Sequence, residues 1–303
     1  MLRPKPGKRS RLFIAEDICH VLRNNTGTET IRAIFFNRSK IGEPHLDCAD
    51  FKKMSNLCLL NLGDSSFGNH CQLKVSLPNS LCYLSWQEYP LKSMPSNFFP
   101  ENLVEFRMQG SRVEQLWNRD QNLENLKVMD LSFSTHLTKV PDLSQSRKLV
   151  HINLFGCISS YFQCLYKLTH LDLGECSNLK YLPLMPSNIE FLNLSRTAIK
   201  ELPSSVWSHE KISYLDIRFC NDLRNLPSSS CKLKLPSSSF SLEGCSCLGK
   251  FSELPRYLTV LEMIREKIEV LPSSIEYKKF KYFPEILEPM GVPDISVLDR
   301  NKC

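Results

Sequence analysis

The sequence has no long apolar run, no dense block of positive charge and no apolar leader. No stretch of its 303 residues approaches the ~20 apolar residues of a membrane-spanning helix, so a membrane is not an expected partner. The opening residues, MLRPKPGKRS, lack the apolar core of a secretory signal. The net charge is only +6, and no Lys/Arg run is interleaved with aromatics, so nucleic acid is not an expected partner either.

Motifs that carry catalytic chemistry are also missing. Gly7-Lys8-Arg9 lacks both the upstream glycine and the Ser/Thr of a phosphate loop. Cys245 and Cys247 form a close pair, but a zinc site needs two more ligands at suitable spacing, so a buried structural thiol is favoured at Cys245. No nucleophile is paired with an orienting base. We therefore expect no catalytic residues, no metal and no cofactor, and hence not an enzyme.

Cysteine usage indicates the compartment. Thirteen cysteines in a chain without a recognisable secretory signal favour reduced thiols in the cytoplasm or the nucleus. Asn193-Leu194-Ser195 nevertheless matches the N-glycosylation pattern. The alternative is an extracellular repeat protein, which a glycan on Asn193 would support.

What the sequence does contain is a repeat. The template L-x-x-L-x-L, with conservative substitutions, begins at residues 57, 81, 103, 126, 149, 168, 189, 212, 237 and 258. Successive intervals are 24, 22, 23, 23, 19, 21, 23, 25 and 21 residues, and all but the 19 lie in the range of leucine-rich repeats. The predicted fold class is α/β, a leucine-rich-repeat solenoid over residues 49–290 with short parallel strands on its concave face.

Each repeat position has its own predicted role, counted from the first Leu of the template. The fourth and sixth positions alternate with the fifth, so a short strand should bury the apolar pair and expose the residue between them. A Leu-Pro step then ends the extended segment on the convex side. The ninth position should tuck under the turn and meet unpaired backbone groups. It is occupied by Ser65, Ser111, Ser134, Cys157, Cys176, Thr197, Cys220 and Cys245.

Some parts of the chain depart from the pattern. The repeat Leu149–Lys167 is short and lacks its Leu-Pro step, and the Ser/Pro-rich stretch Pro227–Ser239 is expected to loop out. Residues 291–303 form an irregular tail. Residues 1–48 do not fit the repeat: Ile14, Ile18, Val21 and Leu22 have the spacing of a short amphipathic helix, and residues 31–36 are typical of a strand.

The N-terminal segment carries a family resemblance. Arg9-Ser-Arg-Leu-Phe-x-x-Glu-Asp-Ile-x-x-Val-Leu-x-Asn-Asn-Thr-Gly-Thr-Glu resembles the end of the nucleotide-binding module in plant intracellular immune receptors. These are the Toll/interleukin-receptor-like, nucleotide-binding, leucine-rich-repeat disease-resistance proteins. Leu81–Pro100, Leu103–Trp117, Leu126–Asp142 and Phe283–Met290 are similar to repeats of the same family. The resemblance implies that residues 1–48 are a winged-helix remnant of that module.

The resemblance also implies a function. The chain would be a sensor in the plant defence response that recognises a pathogen effector or a guarded host protein. Its repeats would also contact the nucleotide-binding module of a receptor, for which Arg107 and Arg112 are the candidate residues. The alternative is a truncated decoy or regulator of a full-length receptor that lacks signalling ability.

The exposed concave positions are the predicted protein-binding surface. The fifth positions form a polar ladder, for which a solvated face or strand-edge hydrogen bonding is an equal alternative: Asp130, Asn153, Asp172, Asn193 and Asp216. The third, seventh and eighth positions supply aromatic and charged residues of the kinds found in interface hot spots, unless some pack into neighbouring repeats. They are Phe133, His151, Phe155, His170, Phe191, Arg196, Tyr214, Arg218 and Phe219. His151 and His170 should lie about one strand spacing (~5 Å) apart, as solvated residues rather than a metal pair.

Overall fold

Short parallel strands, about one per repeat, form the main sheet of the computed structural model. The structure describes residues 5–36, 48–63, 74–117, 119–157, 167–182, 184–224, 232–233, 235 and 241–247. Within these residues the sheet has ten strands in chain order. They are β1 (Arg11–Leu12), β2 (Ala33–Phe35), β4 (Leu59–Asn61), β6 (Tyr83–Ser85), β7 (Glu105–Arg107), β8 (Val128–Asp130), β9 (His151–Asn153), β10 (His170–Asp172), β11 (Phe191–Asn193) and β12 (Tyr214–Asp216).

Few other regular elements accompany this sheet. Strands β3 (Cys48–Asp50) and β5 (Lys74–Ser76) form a separate parallel pair. Helix α1 spans Ala15–Arg23, helix α2 spans Ser204–Trp207, and a 3-10 turn covers Pro6–Lys8. Among the described residues, no helix is both long enough and apolar enough to cross a bilayer.

The parallel pairing in chain order confirms the predicted leucine-rich-repeat solenoid. Each observed repeat strand covers the third to fifth template positions, so the apolar residues at positions one, four and six point into the core. In the repeat that begins at residue 126, Leu126, Met129 and Leu131 are all fully buried. One repeat cannot enclose these side chains by itself, and stacking on its neighbours removes them from water.

The ninth-position prediction is confirmed at six of its eight residues, whereas the Ser111 hydroxyl bonds that of Ser134 at 2.8 Å and Ser65 lies outside the described residues. The thiols of Cys157 and Cys176 donate hydrogen bonds of 3.1 Å to the carbonyls of Leu131 and Leu154, each in the preceding repeat. Cys220, Cys245 and Ser134 make equivalent bonds. Thr197 differs, since its hydroxyl donates to a carbonyl of its own repeat. These side chains satisfy buried carbonyls next to the strands, and Cys245 is the buried structural thiol that the sequence favoured.

The N-terminal segment continues the sheet. Helix α1 forms where predicted and buries Ile18, Val21 and Leu22, whereas Ile14 precedes the helix and is exposed. Strand β2 pairs in parallel with β4, and Ile31, Ile34 and Phe36 are buried like template positions one, four and six. The expectation that residues 1–48 lie outside the repeat is therefore wrong for residues 31–36. The described part of the segment shows no winged helix, and that assignment stays a prediction.

Several sequence predictions fall outside the described residues. These are the repeat that begins at residue 258, the family-like segment Phe283–Met290, the tail 291–303 and the ninth-position Ser65. Residues 158–166 of the short repeat and nearly all of Pro227–Ser239 also lie outside.

Candidate functional site

Four aromatic rings stack on one another across the exposed face of the sheet. They occupy the third repeat position, and parallel pairing aligns them from strand β9 to strand β12. Ring centroids are 5.4 Å apart for His151 and His170, 5.9 Å for His170 and Phe191, and 4.5 Å for Phe191 and Tyr214. We call these four residues the ring row. The predicted ~5 Å proximity of the two histidines is confirmed, and their row extends over two further repeats.

Burial shifts the pKa of two residues of the ring row, His151 and Tyr214. Desolvation lowers the pKa of His151, and the neighbouring His170 and Arg107 act in the same direction. Burial raises the pKa of the Tyr214 hydroxyl, which lies 3.4 Å from a carboxylate oxygen of Asp216. Within the described residues, no group of three or more His, Cys, Asp or Glu side chains is arranged to hold a metal ion.

The polar ladder at the fifth position is part of the turn architecture. Asp130, Asn193 and Asp216 are buried, and Asn153 and Asp172 are partly buried, so the expectation of exposed fifth positions is wrong for the first three. In each of these five residues, the side-chain Oδ1 accepts a hydrogen bond of 3.0 or 3.1 Å from the backbone N–H of the residue two positions later. This Asx-type turn draws the side chain toward the backbone, which is why the position is occluded.

The three carboxylates of the ladder differ in their neighbours. Asp130 accepts a 2.7 Å bond from the Gln109 amide and lies 3.7 Å from the Arg107 guanidinium. Asp216 accepts two bonds from Arg218, one from Nε at 3.0 Å and one from Nη2 at 2.7 Å. Asp172 has no ion-pair partner among the described residues, and burial raises the pKa of its carboxyl despite the bond from the Gly174 N–H.

The eighth repeat position has a left-handed backbone. Its φ angle is positive in eight repeats, at Gly110, Gly156 and Gly244 but also at Glu88, Phe133, Glu175, Arg196 and Phe219. In this conformation the N–H donates to a carbonyl in the next repeat, as from Phe133 to Phe155 at 2.7 Å. Backbone hydrogen bonds between repeats therefore continue past the end of each strand. The side chain at the eighth position extends from the turn that follows the strand.

Aromatic and cationic side chains project from these turns. We call Phe133, Phe155, Arg196 and Phe219 the turn edge. Phe133 is 58% exposed, and its ring meets that of Phe155 edge to face with centroids 5.3 Å apart. The Arg196 guanidinium lies 4.5 Å from the Phe219 ring centroid, and it also approaches Glu175 at 3.7 Å. The ring row lies on strands β9–β12, and the turn-edge residues follow strands β8, β9, β11 and β12.

The two candidate arginines lie in different surroundings. Arg107, on strand β7, contacts Glu105 at 3.3 Å and Asp130 at 3.7 Å, so its charge belongs to the network on the sheet face. Arg112 follows the turn, where its side chain is exposed and its N–H donates to the Tyr89 carbonyl.

One part of this network was missed at the sequence level. The Gln87 amide donates to Gln109 at 2.8 Å, and Gln109 donates to Asp130, so polar side chains connect three repeats. Both glutamines occupy the seventh position of consecutive repeats. This recurrence in the sequence could have predicted that they contact each other.

Comparison with known proteins gives the following similarities. No family model matches the sequence. The chain is 37% identical over 256 residues to disease resistance protein RPP2A of Arabidopsis thaliana, covering 74% of this chain and 20% of that protein. It is 32% identical over 311 residues to disease resistance protein RPS4B of the same plant, covering 97% of this chain and 26% of that protein. The chain thus spans about a quarter of the length of these relatives.

Two solved structures share the fold. The functional domain of InlJ from Listeria monocytogenes superposes with a TM-score of 0.52 at 17% identity, covering 80% of this chain and 55% of that chain. YopM from Yersinia enterocolitica gives a TM-score of 0.51 at 19% identity, covering 86% of this chain and 56% of that chain. At such identities the likeness shows the fold alone.

Proposed function

Because this chain is homologous to a section of plant disease resistance proteins, we propose that it is a leucine-rich-repeat sensor region that recognises a protein in plant defence. The partner would be a pathogen effector or a host protein that the pathogen alters. The recognition surface would consist of the ring row and the turn edge. Recognition requires no catalytic step, and the proposed role is binding.

The observation that carries this proposal is the backbone beneath Phe133. Its φ of +59° lies in the left-handed region, which costs a bulky residue roughly 1–2 kcal/mol relative to the usual conformation. Glycine occupies the same position in three other repeats at no such cost. A phenylalanine that is 58% exposed stabilises the fold less than a buried one, so its presence favours a role in binding.

The extent of the surface suits a protein partner. Strands β8–β12 are five neighbours, so their span is about 19 Å at the usual ~4.8 Å strand spacing. Charged groups such as Arg218 and Glu175 lie on the same repeats as the aromatic rings. Aromatic and arginine side chains supply most of the binding energy in protein interfaces, and flanking polar groups set specificity.

Comparative affinity capture from plant leaf extract tests this surface. The wild-type chain is compared with a Phe133→Ser/Phe219→Ser double variant, and recovered proteins are quantified by mass spectrometry. We expect at least one protein to be recovered about tenfold less by the double variant, the loss expected for roughly 1.4 kcal/mol of binding energy. Phe99→Ser, at a phenylalanine that is 49% exposed outside the surface, is the matched control. Equal recovery of every protein by wild type and double variant would contradict the proposal.

A contact with a receptor's nucleotide-binding module is a second part of the proposal. Reversal of charge at Arg107 and Arg112 should weaken that association. Since Arg107 also neutralises Asp130, a change there disturbs the sheet face, and Arg112→Glu alone is the cleaner test. Unchanged association of Arg112→Glu with the module would count against this contact. The decoy or regulator alternative uses the same recognition surface. Sequencing the 5′ end of the transcript distinguishes the two: a nucleotide-binding module encoded upstream in frame favours the receptor, and its absence from the transcript favours the decoy or regulator.

We further propose that the protein acts in the cytoplasm or the nucleus. Five of the described cysteines are buried, and Cys157, Cys176 and Cys220 among them donate thiol hydrogen bonds to backbone carbonyls. This state is typical of a reducing compartment. Detection of an N-linked glycan on Asn193 would argue for the extracellular alternative, although Asn193 itself is buried.

A further inference from the structure

Two cysteines occupy the second position of consecutive repeats. Cys58 and Cys82 each come directly before a strand, β4 and β6, and these strands pair in parallel with Leu59 opposite Tyr83. The Cys82 N–H donates a 2.8 Å hydrogen bond to the Cys58 carbonyl. The two Cα atoms are therefore about one strand spacing (~4.8 Å) apart, which is within the usual range for a disulfide.

The two cysteines lie side by side on neighbouring repeats and differ in exposure. Cys58 is exposed, whereas Cys82 is partly buried. The Cys82 thiol also lies 3.7 Å from the Ser80 carbonyl. Burial, together with the adjacent Cys58, raises the pKa of Cys82 to about 11. Cys58 is thus the thiol that meets a reagent from solvent, and Cys82 reacts slowly unless a partner sulfur is held beside it.

The ninth-position cysteines provide the contrast. Cys157 and Cys176 are buried and donate to backbone carbonyls, and burial raises the pKa of each to about 12. Thiolate is the reactive species, so these residues should stay inert while the protein is folded. Among the described cysteines, the second-position pair combines access to solvent with a neighbouring thiol.

We propose that Cys58 and Cys82 form a modification site at which a small-molecule disulfide, such as oxidised glutathione, installs a disulfide bond between adjacent repeats. The Cys58 thiolate attacks the glutathione disulfide, forms a mixed disulfide and releases one glutathione. The Cys82 thiolate then attacks the Cys58 sulfur, forms the Cys58–Cys82 bond and releases a second glutathione. The two cysteines are oxidised, one glutathione disulfide is reduced to two thiols, and the two cysteine protons pass to the released thiolates through solvent.

The bond would link strands β4 and β6. In a solenoid each repeat contacts only its neighbours, so a covalent link between two repeats stabilises that end of the array and leaves the ring row in place. We expect the oxidised protein to have a higher Tm than the reduced protein, because the cross-link restricts the unfolded chain.

The test treats the full reduced chain with oxidised glutathione, blocks the remaining thiols by alkylation and maps the products by mass spectrometry. We expect the loss of two hydrogen atoms and a peptide pair that joins Cys58 to Cys82. Cys82→Ser should stop at a stable glutathione adduct on Cys58, and Cys58→Ser should block both steps. Cys157→Ser is the matched control and should form the same link at the same rate.

Two outcomes would overturn the proposal. One is a wild-type protein that accumulates the glutathione adduct on Cys58 without forming the link. The other is a link from Cys58 to a different cysteine. The rate of the closing step provides a further check, since burial raises the pKa of Cys82 and the thiolate fraction grows about tenfold per pH unit below the pKa. A closing rate that does not change between pH 7 and pH 9 would contradict the assigned role of Cys82.

Discussion

The rings of Phe191 and Tyr214 lie face to face, with centroids 4.5 Å apart and planes 1° from parallel. Parallel pairing places the third-position residues of neighbouring repeats directly beside each other, so flat side chains there stack without any change in the backbone. Their faces cover one another, and both side chains remain partly exposed. The ring row is therefore both a stabilising contact between repeats and part of the proposed recognition surface.

Acid should weaken the fold through His151. Its folded pKa is lowered, chiefly by burial, so the unfolded chain takes up a proton first as the pH falls through about 6.5. Stability that is fully present above this pH should then be lost progressively. His151→Phe keeps a ring in the row and should reduce this loss in urea unfolding between pH 7 and pH 5. His136→Phe, at an exposed histidine outside the row, should retain the wild-type dependence. An identical pH profile for wild type and His151→Phe would refute the assignment.

Asp172→Asn should stabilise the protein at pH 7. The folded pKa of Asp172 is raised, so its charged form is disfavoured in the folded state and the penalty disappears as the pH falls through that value. Asparagine already fills the equivalent position at Asn153, where the Phe155 N–H donates the same 3.0 Å bond to the side-chain Oδ1. Urea unfolding at pH 7 and at pH 4 should show a larger gain at pH 7.

Asp142→Asn is the matched control for that variant. Asp142 is exposed, and the Ser144 N–H lowers the pKa of its carboxyl. Removal of its charge should therefore give no stabilisation at pH 7. Equal gains from the two substitutions would show that the burial of Asp172 is not the cause.

The left-handed backbone at the eighth position predicts opposite changes in stability for substitutions at two residues. Glu175→Gly relieves a φ of +58° and loses only an exposed ion pair with Arg196, so we expect a gain of about 0.5 kcal/mol. Gly156→Ala places a side chain at φ +70° with its Cβ 3.3 Å from the Phe133 ring, and we expect a loss of about 1 kcal/mol. Urea unfolding measures both. Changes of the same sign would mean that the backbone does not control these positions.

Replacing a ninth-position cysteine by serine should destabilise the protein less than replacing it by alanine. Cys157→Ala removes the 3.1 Å bond to the Leu131 carbonyl together with the buried sulfur, so we expect a loss of about 2 kcal/mol in the free energy of unfolding. Cys157→Ser keeps a donor, as Ser134 does toward the Met108 carbonyl at 3.0 Å, and should lose less than half as much. If alanine were tolerated as well as serine, the hydrogen bond would have no measurable role.

A large part of this architecture could be predicted from the sequence because the repeat is a local pattern. The spacing of Leu126, Met129 and Leu131 alone decides which residues a strand buries, and the ninth position follows at a constant distance along the chain. The same template is visible at Ile31, Ile34 and Phe36, which the structure adds to the sheet. That copy was missed because residues 1–48 were assigned to the nucleotide-binding module of the family and not to its repeats.

Only the tertiary structure decided how the fifth and eighth positions present their side chains. Strand alternation predicted an exposed Asp130, but its carboxylate turns back to the Ser132 N–H and is buried, since the turn beyond the strand needs an acceptor there. The same turn requires the left-handed backbone that exposes Phe133. Contacts between repeats that the sequence did not predict, such as the Phe191–Tyr214 stack and the adjacent Cys58 and Cys82, depend on strand register, which is set when the repeats stack.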